Sequence, residues 1–331
     1  ATPGSPTPRG NARASRRLSH GPWTSVMPNG TSRLEVEYTK GQILGRGASG
    51  VAFIVRPKKA PEKTLVAKEM CIVKSDDKRR REALAECDLL RTLKHNNIIM
   101  CFDVIIDTDM LYIVMEYADG GDLSRWIQVS KDEGRGLPEE TVMISFAQIC
   151  SALEYIHSRK VLHRDLKPAN IFVLGQAADL AVCTIKLGDF GIAKMIDCTM
   201  GNANSTVGTP SYLSPEICKN NPYGMKADIW SLGVVLYEMT CLKVPFHAGN
   251  LPAMALMICT SEPKPVPEEY STSLADLVQT LLQKDPADRP SVSAVLELPY
   301  VKGFVAASAD AQRSGASATG APPAPPPPAE G

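Results

Sequence analysis

The chain has 331 residues, of which 44% are hydrophobic and 22% charged, and its 36 Lys+Arg balance 36 Asp+Glu to a formal net charge of zero. An ordinary globular composition without net charge gives no bulk electrostatic reason to bind nucleic acid or an anionic membrane, and no apolar run approaches the ~20 residues of a membrane span. The nine cysteines are scattered without a C-x-x-C, which reads as reduced thiols in a cytosolic or nuclear protein.

Residues 1–33 are rich in Pro, Gly, Ser, Thr, Arg and Asn. They are expected to stay disordered, because they bury too little apolar surface to offset ordering entropy. The opening "ATPGSPTPRG" lacks the apolar core of a signal peptide, and a chain that starts without Met reads as a fragment or a processed piece. Within 36–74, "GVAFIV" and "TLVAKEMCIV" predict strands. Just before and into the first of these, "ILGRGASGVAF" carries Gly45, Gly47 and Gly50 in the spacing G-x-G-x-x-G. Glycines so spaced let backbone N–H groups approach a phosphate, but the pattern alone also suits a dinucleotide turn or chance. A charged helix is predicted over roughly 77–93, then strands at "DVIID" and "MLYIVMEY". "ADGGDL" breaks the pattern. Helical runs follow: "ETVMISFAQICSALEYIHS", "KADIWSLGVVLYEMTCL" and "SLADLVQTLLQ". From about 305 the chain turns to Ala, Ser and Gly and ends "APPAPPPPAEG", a low-complexity tail expected to be disordered. The order predicts an α+β protein: a small β-rich half, a short connector near 117–122 and a larger α-helical half, with a cleft between them.

Lys68 lies one strand after the glycines. A strand lysine is ordinarily solvated, but here a cation could reach phosphates held by the glycine loop, steadied by Glu82 or Glu86 four residues apart on the helix. "VLHRDLKPANIFV" places Asp165, Lys167 and Asn170 in one short loop. Phosphoryl transfer needs a carboxylate to orient and deprotonate a hydroxyl, a cation near the transferring group and a neutral oxygen ligand for Mg²⁺; the loop supplies all three. In "IKLGDFGIAK", Asp189 sits among apolar residues and glycines, where a carboxylate is costly unless a metal or cation meets it. Glu216 and Arg289 are candidates for a buried ion pair. Asp228, at a helix start, reads most simply as an N-cap.

Taken together these motifs resemble the eukaryotic protein kinase family, over residues 38–304 and in that family's order. A dinucleotide-binding turn is disfavoured because a strand follows the glycines, and a P-loop because G-K-[ST] is missing. The resemblance implies a two-lobed kinase fold: an N-lobe over about 34–116 with one main helix, a hinge at 116–121 and a helical C-lobe over 122–304, flanked by disordered tails 1–33 and 305–331. It implies ATP and Mg²⁺ as cofactors and protein substrates with Ser or Thr acceptors. Leu44, Gly45, Gly47, Gly50 and Ala52 would cover the nucleotide. Lys68, paired to Glu86, would grip its phosphates. Ala67 and Phe172 would sandwich the adenine. Met115 would be the gatekeeper, and Glu116 to Ala118 the hinge. Asp165 would be the catalytic base, Lys167 would steady the γ-phosphate, and Asn170 and Asp189 would hold Mg²⁺.

Lys167 and "GTPSYLSPE" look like the serine/threonine branch. "LYIVMEYADGGDL", "LGDFGIAK" and "DIWSLGVVLYEMTCLKVPF" look most like the NIMA-related kinases, implying a cytoplasmic or nuclear protein with cytoskeletal association. The departures from the family pattern are Ser49 in place of an aromatic loop tip, Ala52 in place of valine, Ser214 in place of the alanine of A-P-E, and "HNN" at 95–97. None removes a charge that the chemistry needs, so a pseudokinase scaffold is the alternative reading that these residues disfavour. Ser205, then Thr206, would be the regulatory phosphorylation sites, with Arg164 and Lys194 as the cations that receive the phosphate.

Overall fold

The computed structural model describes residues 32–47, 50–72, 87–107, 110–190 and 210–315, with side chains through Ser308. Ser32 accepts a hydrogen bond from the Leu34 amide and so starts a five-residue helix, α1 (Arg33–Glu37). Five antiparallel strands follow: β1 (Tyr38–Gly47), β2 (Gly50–Pro57), β3 (Leu65–Cys71), β4 (Cys101–Asp107) and β5 (Met110–Glu116), in spatial order β1-β2-β3-β5-β4. Between β3 and β4, residues 87–92 are helical (α2).

Strand alternation sends side chains to two faces. One face buries Phe53, Val55, Leu65, Ala67, Ile105 and Val114 together with Leu34 of α1. The other buries Met70, Ile72, Val104, Ile106, Leu111 and Ile113 with Cys87 of α2. Arg33 bonds both Glu37 and Asp103, at 2.7 Å to the latter, and ties α1 across to β4.

The second lobe starts at α3 (Leu123–Asp132), capped by the Asp122 side chain on the Arg125 amide. Its centre is α4 (Glu139–Ser158), apolar nearly all round and buried from Thr141 to Cys150. A helix with this pattern belongs inside a core rather than at its edge. β6 (Ile171–Leu174) and β7 (Thr184–Leu187) form a small antiparallel ribbon against it. There follow α5 (Pro215–Cys218), α6 (Met225–Cys241), α7 (Leu251–Thr260), α8 (Thr272–Leu281), α9 (Val292–Glu297) and α10 (Pro299–Gly315). Asn250, Ser271 and Ser291 cap α7, α8 and α9 through their side chains. Among the described residues no helix is long and apolar enough to cross a membrane.

The expected α+β architecture, β-rich then helical, is present. Two boundaries differ. The glycine segment is not a free loop before a strand, for residues 38–47 are themselves strand β1, paired to β2. The disordered tail expected from 305 starts later: α10 runs to Gly315, because "VAASADAQ" is rich in alanine, the best helix former. The predicted helix over 77–93 is described only for 87–92.

Candidate active site

The glycines form the β1–β2 hairpin, with Gly45 opposite Ala52 and Gly47 opposite Gly50. Gly50 has φ +121°, and a Cβ there would sit 2.0 Å from the Glu69 carbonyl oxygen, so the fold itself demands glycine. At Gly45 and Gly47 a Cβ would meet nothing within 4 Å among the described residues. The protein's own packing therefore gives no reason for glycine there. Ile43 and Leu44 are 47% and 42% exposed, two apolar residues that the chain leaves uncovered. Ser49 lies outside the described residues.

Ala52, Lys68 and Ile113 stand in register across β2, β3 and β5, as do Ile54, Val66 and Met115. Lys68 and Met115 border a cleft of about 480 Å³ together with Met70, Leu90, Cys101, Asp189 and Phe190. Ala67 does not. It is fully buried on the opposite face with Phe53, Val55 and Val114. The expectation that Ala67 sandwiches adenine is therefore corrected: strand alternation puts Val66, half-buried, on the face of Lys68. Counting back by two from the lysine would have found it.

The hinge is built from long-range contacts. The Glu116 amide donates to Met100 O, while its carboxylate accepts from the Met100 amide and meets Lys186 Nζ at 3.0 Å. Gly120 and Gly121 exchange backbone hydrogen bonds with Val173 of β6. The stretch Glu116 to Ala118 is thus tied to both lobes, and Lys186 is a contributor that motif reading overlooked.

The loop carrying Asp165 is pinned from below. Asp228 is fully buried within the first turns of α6 and accepts from the His163 amide (3.0 Å), the Arg164 amide (3.0 Å), Tyr223 Oη (2.7 Å) and His157 Nε2 (2.8 Å). It is not the N-cap; Gly224 holds that position. Burial opposes its charge, but the bonds from His157 and its neighbours outweigh burial and hold its carboxyl below the usual range. This anchoring stabilises Arg164 at φ +65°, a conformation costly for a residue with a side chain. His163 Nε2 meets Gly188 O at 3.1 Å, and its ring lies 5.0 Å from that of Phe190. Burial pushes the His163 pKa down, more than the nearby aspartates push it up, so a neutral ring donates to Gly188.

Asp165 Oδ2 accepts from Lys167 Nζ at 2.9 Å and from Asn170 Nδ2 at 2.9 Å. Asn170 Nδ2 also donates to Asp165 O, and its backbone carbonyl accepts from the Gly188 amide. These bonds join the loop to the residue before Asp189. Gly188 is obligatory: a Cβ would lie 2.8 Å from the Phe172 ring. Phe172, half-buried on β6, therefore stands against Gly188, the residue before Asp189 in the chain. Asp189 has φ +49° and pairs through Oδ1 with Lys68 Nζ at 2.9 Å, a salt bridge from the C-lobe to strand β3. The expected partner Glu86, its alternative Glu82, and Lys194, Ser205 and Thr206 lie outside the described residues; of the regulatory set only Arg164 is placed.

The predicted Glu216–Arg289 pair is present and buried, with two parallel bonds of 2.8 Å. Burial pushes Glu216 up, and the hydrogen bonds from Arg289 more than reverse that. The pair fixes α5 to the segment before α9.

Two lobes around a cleft, a glycine-rich β1–β2 hairpin, a strand lysine and an Asp–Lys–Asn loop define a protein kinase. The family model for the protein kinase domain matches residues 38–301, and the chain belongs to that family. It is similar to the NIMA-related (Nek) kinases. It is 43% identical over 270 residues to probable serine/threonine-protein kinase nek3 of Dictyostelium discoideum, covering 81% of this chain and 24% of that protein. To serine/threonine-protein kinase Nek1 of Mus musculus it is 42% identical, covering 82% and 21%. To serine/threonine-protein kinase Nek5 of Homo sapiens it is 40% identical, covering 79% and 36%. The chain thus spans between a fifth and two fifths of the length of these relatives.

Proposed function

We propose that the chain transfers the γ-phosphoryl group of ATP to Ser or Thr hydroxyls of protein substrates. The observation that carries this reading is the Lys68–Asp189 bridge across the cleft, joined through Gly188 to the Asp165–Lys167–Asn170 loop. Open space beside Gly45 and Gly47 supports a nucleotide under the hairpin, whose phosphates the backbone N–H groups approach. The exposed Ile43 and Leu44 and the half-buried Val66 supply apolar surface for a base.

Asp165 orients the acceptor hydroxyl and takes its proton as the oxygen attacks. Lys167, already at its carboxylate, places a positive charge where negative charge develops on the transferring group. Lys68 leaves Asp189 to meet the nucleotide phosphates. Asn170 and Asp189 suit Mg²⁺: both offer hard oxygen donors, and because the Asn170 Nδ2 is spent on Asp165, its Oδ1 is the side-chain atom that would coordinate. When bound, the ion neutralises phosphate charge in the transition state. The names of the relatives, all serine/threonine kinases, support Ser and Thr as acceptors.

The test is γ-labelled ATP with an oriented peptide library and Mg²⁺. Label is expected on Ser and Thr peptides and is lost with chelator. Label confined to Tyr peptides, or transfer that survives chelation, contradicts the reading.

A further inference from the structure

Helices α5 and α7 pack side by side, and each brings a half-buried cysteine to the contact, Cys218 from α5 and Cys259 from α7. The two thiols are neighbours, and Cys259 is among the groups that raise the Cys218 pKa. Cys259 Sγ also lies 3.8 Å from Pro215 O, one turn before Cys218 on the same helix. A cation completes the cluster: Lys284 Nζ donates to Ile258 O at 3.0 Å and interacts electrostatically with Cys259. Nothing in phosphoryl transfer uses these groups.

We propose that Cys218 and Cys259 form a reversible disulfide under hydroperoxide oxidants, a redox site that staples α5 to α7. Cys259 is the attacking sulfur and Cys218 the resolving one. Burial and the neighbouring thiol push Cys218 up to about 11, which suits it to the second, resolving role. The Cys259 sulfur, as thiolate, attacks one peroxide oxygen. The O–O bond breaks, the leaving hydroxide takes a proton to become water, and Cys259 becomes a sulfenic acid. Cys218 then gives up its proton as its sulfur attacks that of Cys259. The S–OH bond breaks and leaves as a second water. Two thiols and one peroxide thus give one disulfide and two waters, and thiol reductants reverse the bond by exchange.

The bond must close to about 2.05 Å between sulfurs, drawing α5 toward α7. α5 carries Glu216 and directly follows the turn Pro210–Tyr212, in the segment that resembles a substrate platform. Oxidation therefore lowers peptide phosphorylation, a consequence that rests on the kinase reading, whereas formation of the bond does not.

The test treats the full 331-residue chain with hydrogen peroxide, blocks free thiols and maps cysteine peptides by mass spectrometry without reduction. The expected result is a Cys218–Cys259 linked peptide that disappears with dithiothreitol. It is accompanied by a severalfold, reductant-reversible fall in library phosphorylation, which Cys218→Ser and Cys259→Ser escape. No linked peptide, or linkage to Cys198 or another cysteine instead, overturns the proposal. A linked peptide with unchanged activity overturns its regulatory half alone, and a wild type inactive from the start indicts the kinase reading, not the disulfide.

Discussion

Asp165 Oδ2 receives both Lys167 and Asn170, and Lys68 receives Asp189, so the charged groups of the cleft are held by one another before any substrate arrives. Asp165, Lys167 and Asn170, held in this way, need little rearrangement at the moment of reaction, while Lys68 exchanges Asp189 for the nucleotide phosphates. Next to Lys68, two neighbours in the chain have opposite tasks. Val66 is half-buried on the Lys68 face of β3, and removing its two methyl groups should weaken ATP binding. Val66→Ala is expected to raise the KM for ATP about fivefold, the equivalent of roughly 1 kcal/mol of apolar contact. Ala67→Val overfills a fully buried site instead, lowering stability by about 1–3 kcal/mol with KM unchanged. Steady-state kinetics and urea unfolding separate the two; a KM effect at 67 and none at 66 would reverse the assignment. The motif residues were legible in the sequence because phosphoryl transfer needs those residue types close together in the chain. Val66 was missed because its role depends on strand parity, which a motif does not encode. Asp228 was misread because an aspartate in a first helical turn looks the same whether it caps its own helix or reaches a loop far away in the chain.

At the scale of elements, "GVAFIV" and "MLYIVMEY" announce themselves by β-branched and apolar content, whereas β1 does not. Its ten residues are almost all exposed and lack alternation, and it is a strand only because β2 offers it a partner. α1 is equally silent: five residues are too short to show a period. It forms because Ser32 caps it, Leu34 enters the sheet core and Arg33 reaches Asp103. Asp103 is 8% exposed, so its charge relies on that partner. Arg33→Ala is expected to cost about 1–2 kcal/mol in urea unfolding, less than the 3–5 of a fully buried pair because Arg33 itself is a quarter exposed. Asp103→Asn added to Arg33→Ala should recover part of the loss. Unfolding indistinguishable from wild type in Arg33→Ala would show that α1 is an ornament on the sheet rather than a strap.

At the scale of the molecule, the order of strands then helices was enough to expect two lobes and a cleft. The contacts that make the cleft a site were not legible, because they join residues far apart in sequence: Lys68 to Asp189, Asp228 to the backbone at 163 and 164, Glu116 to Lys186. Each depends on the packing of α4, α6 and β7 behind the loop, and no local pattern records that packing. The whole arrangement converges on one carboxylate. Asp165→Asn keeps the shape of the side chain and, with Lys68, Asn170 and Asp189 untouched, should keep nucleotide binding. The decisive measurement is therefore the rate of label transfer from ATP to the peptide library for wild type and Asp165→Asn, with ATP affinity measured in parallel. A fall of about 10²–10⁴-fold at near-equal affinity is the expected loss of a general base. Equal rates from the two proteins would contradict a catalytic role for this loop and the kinase activity built on it.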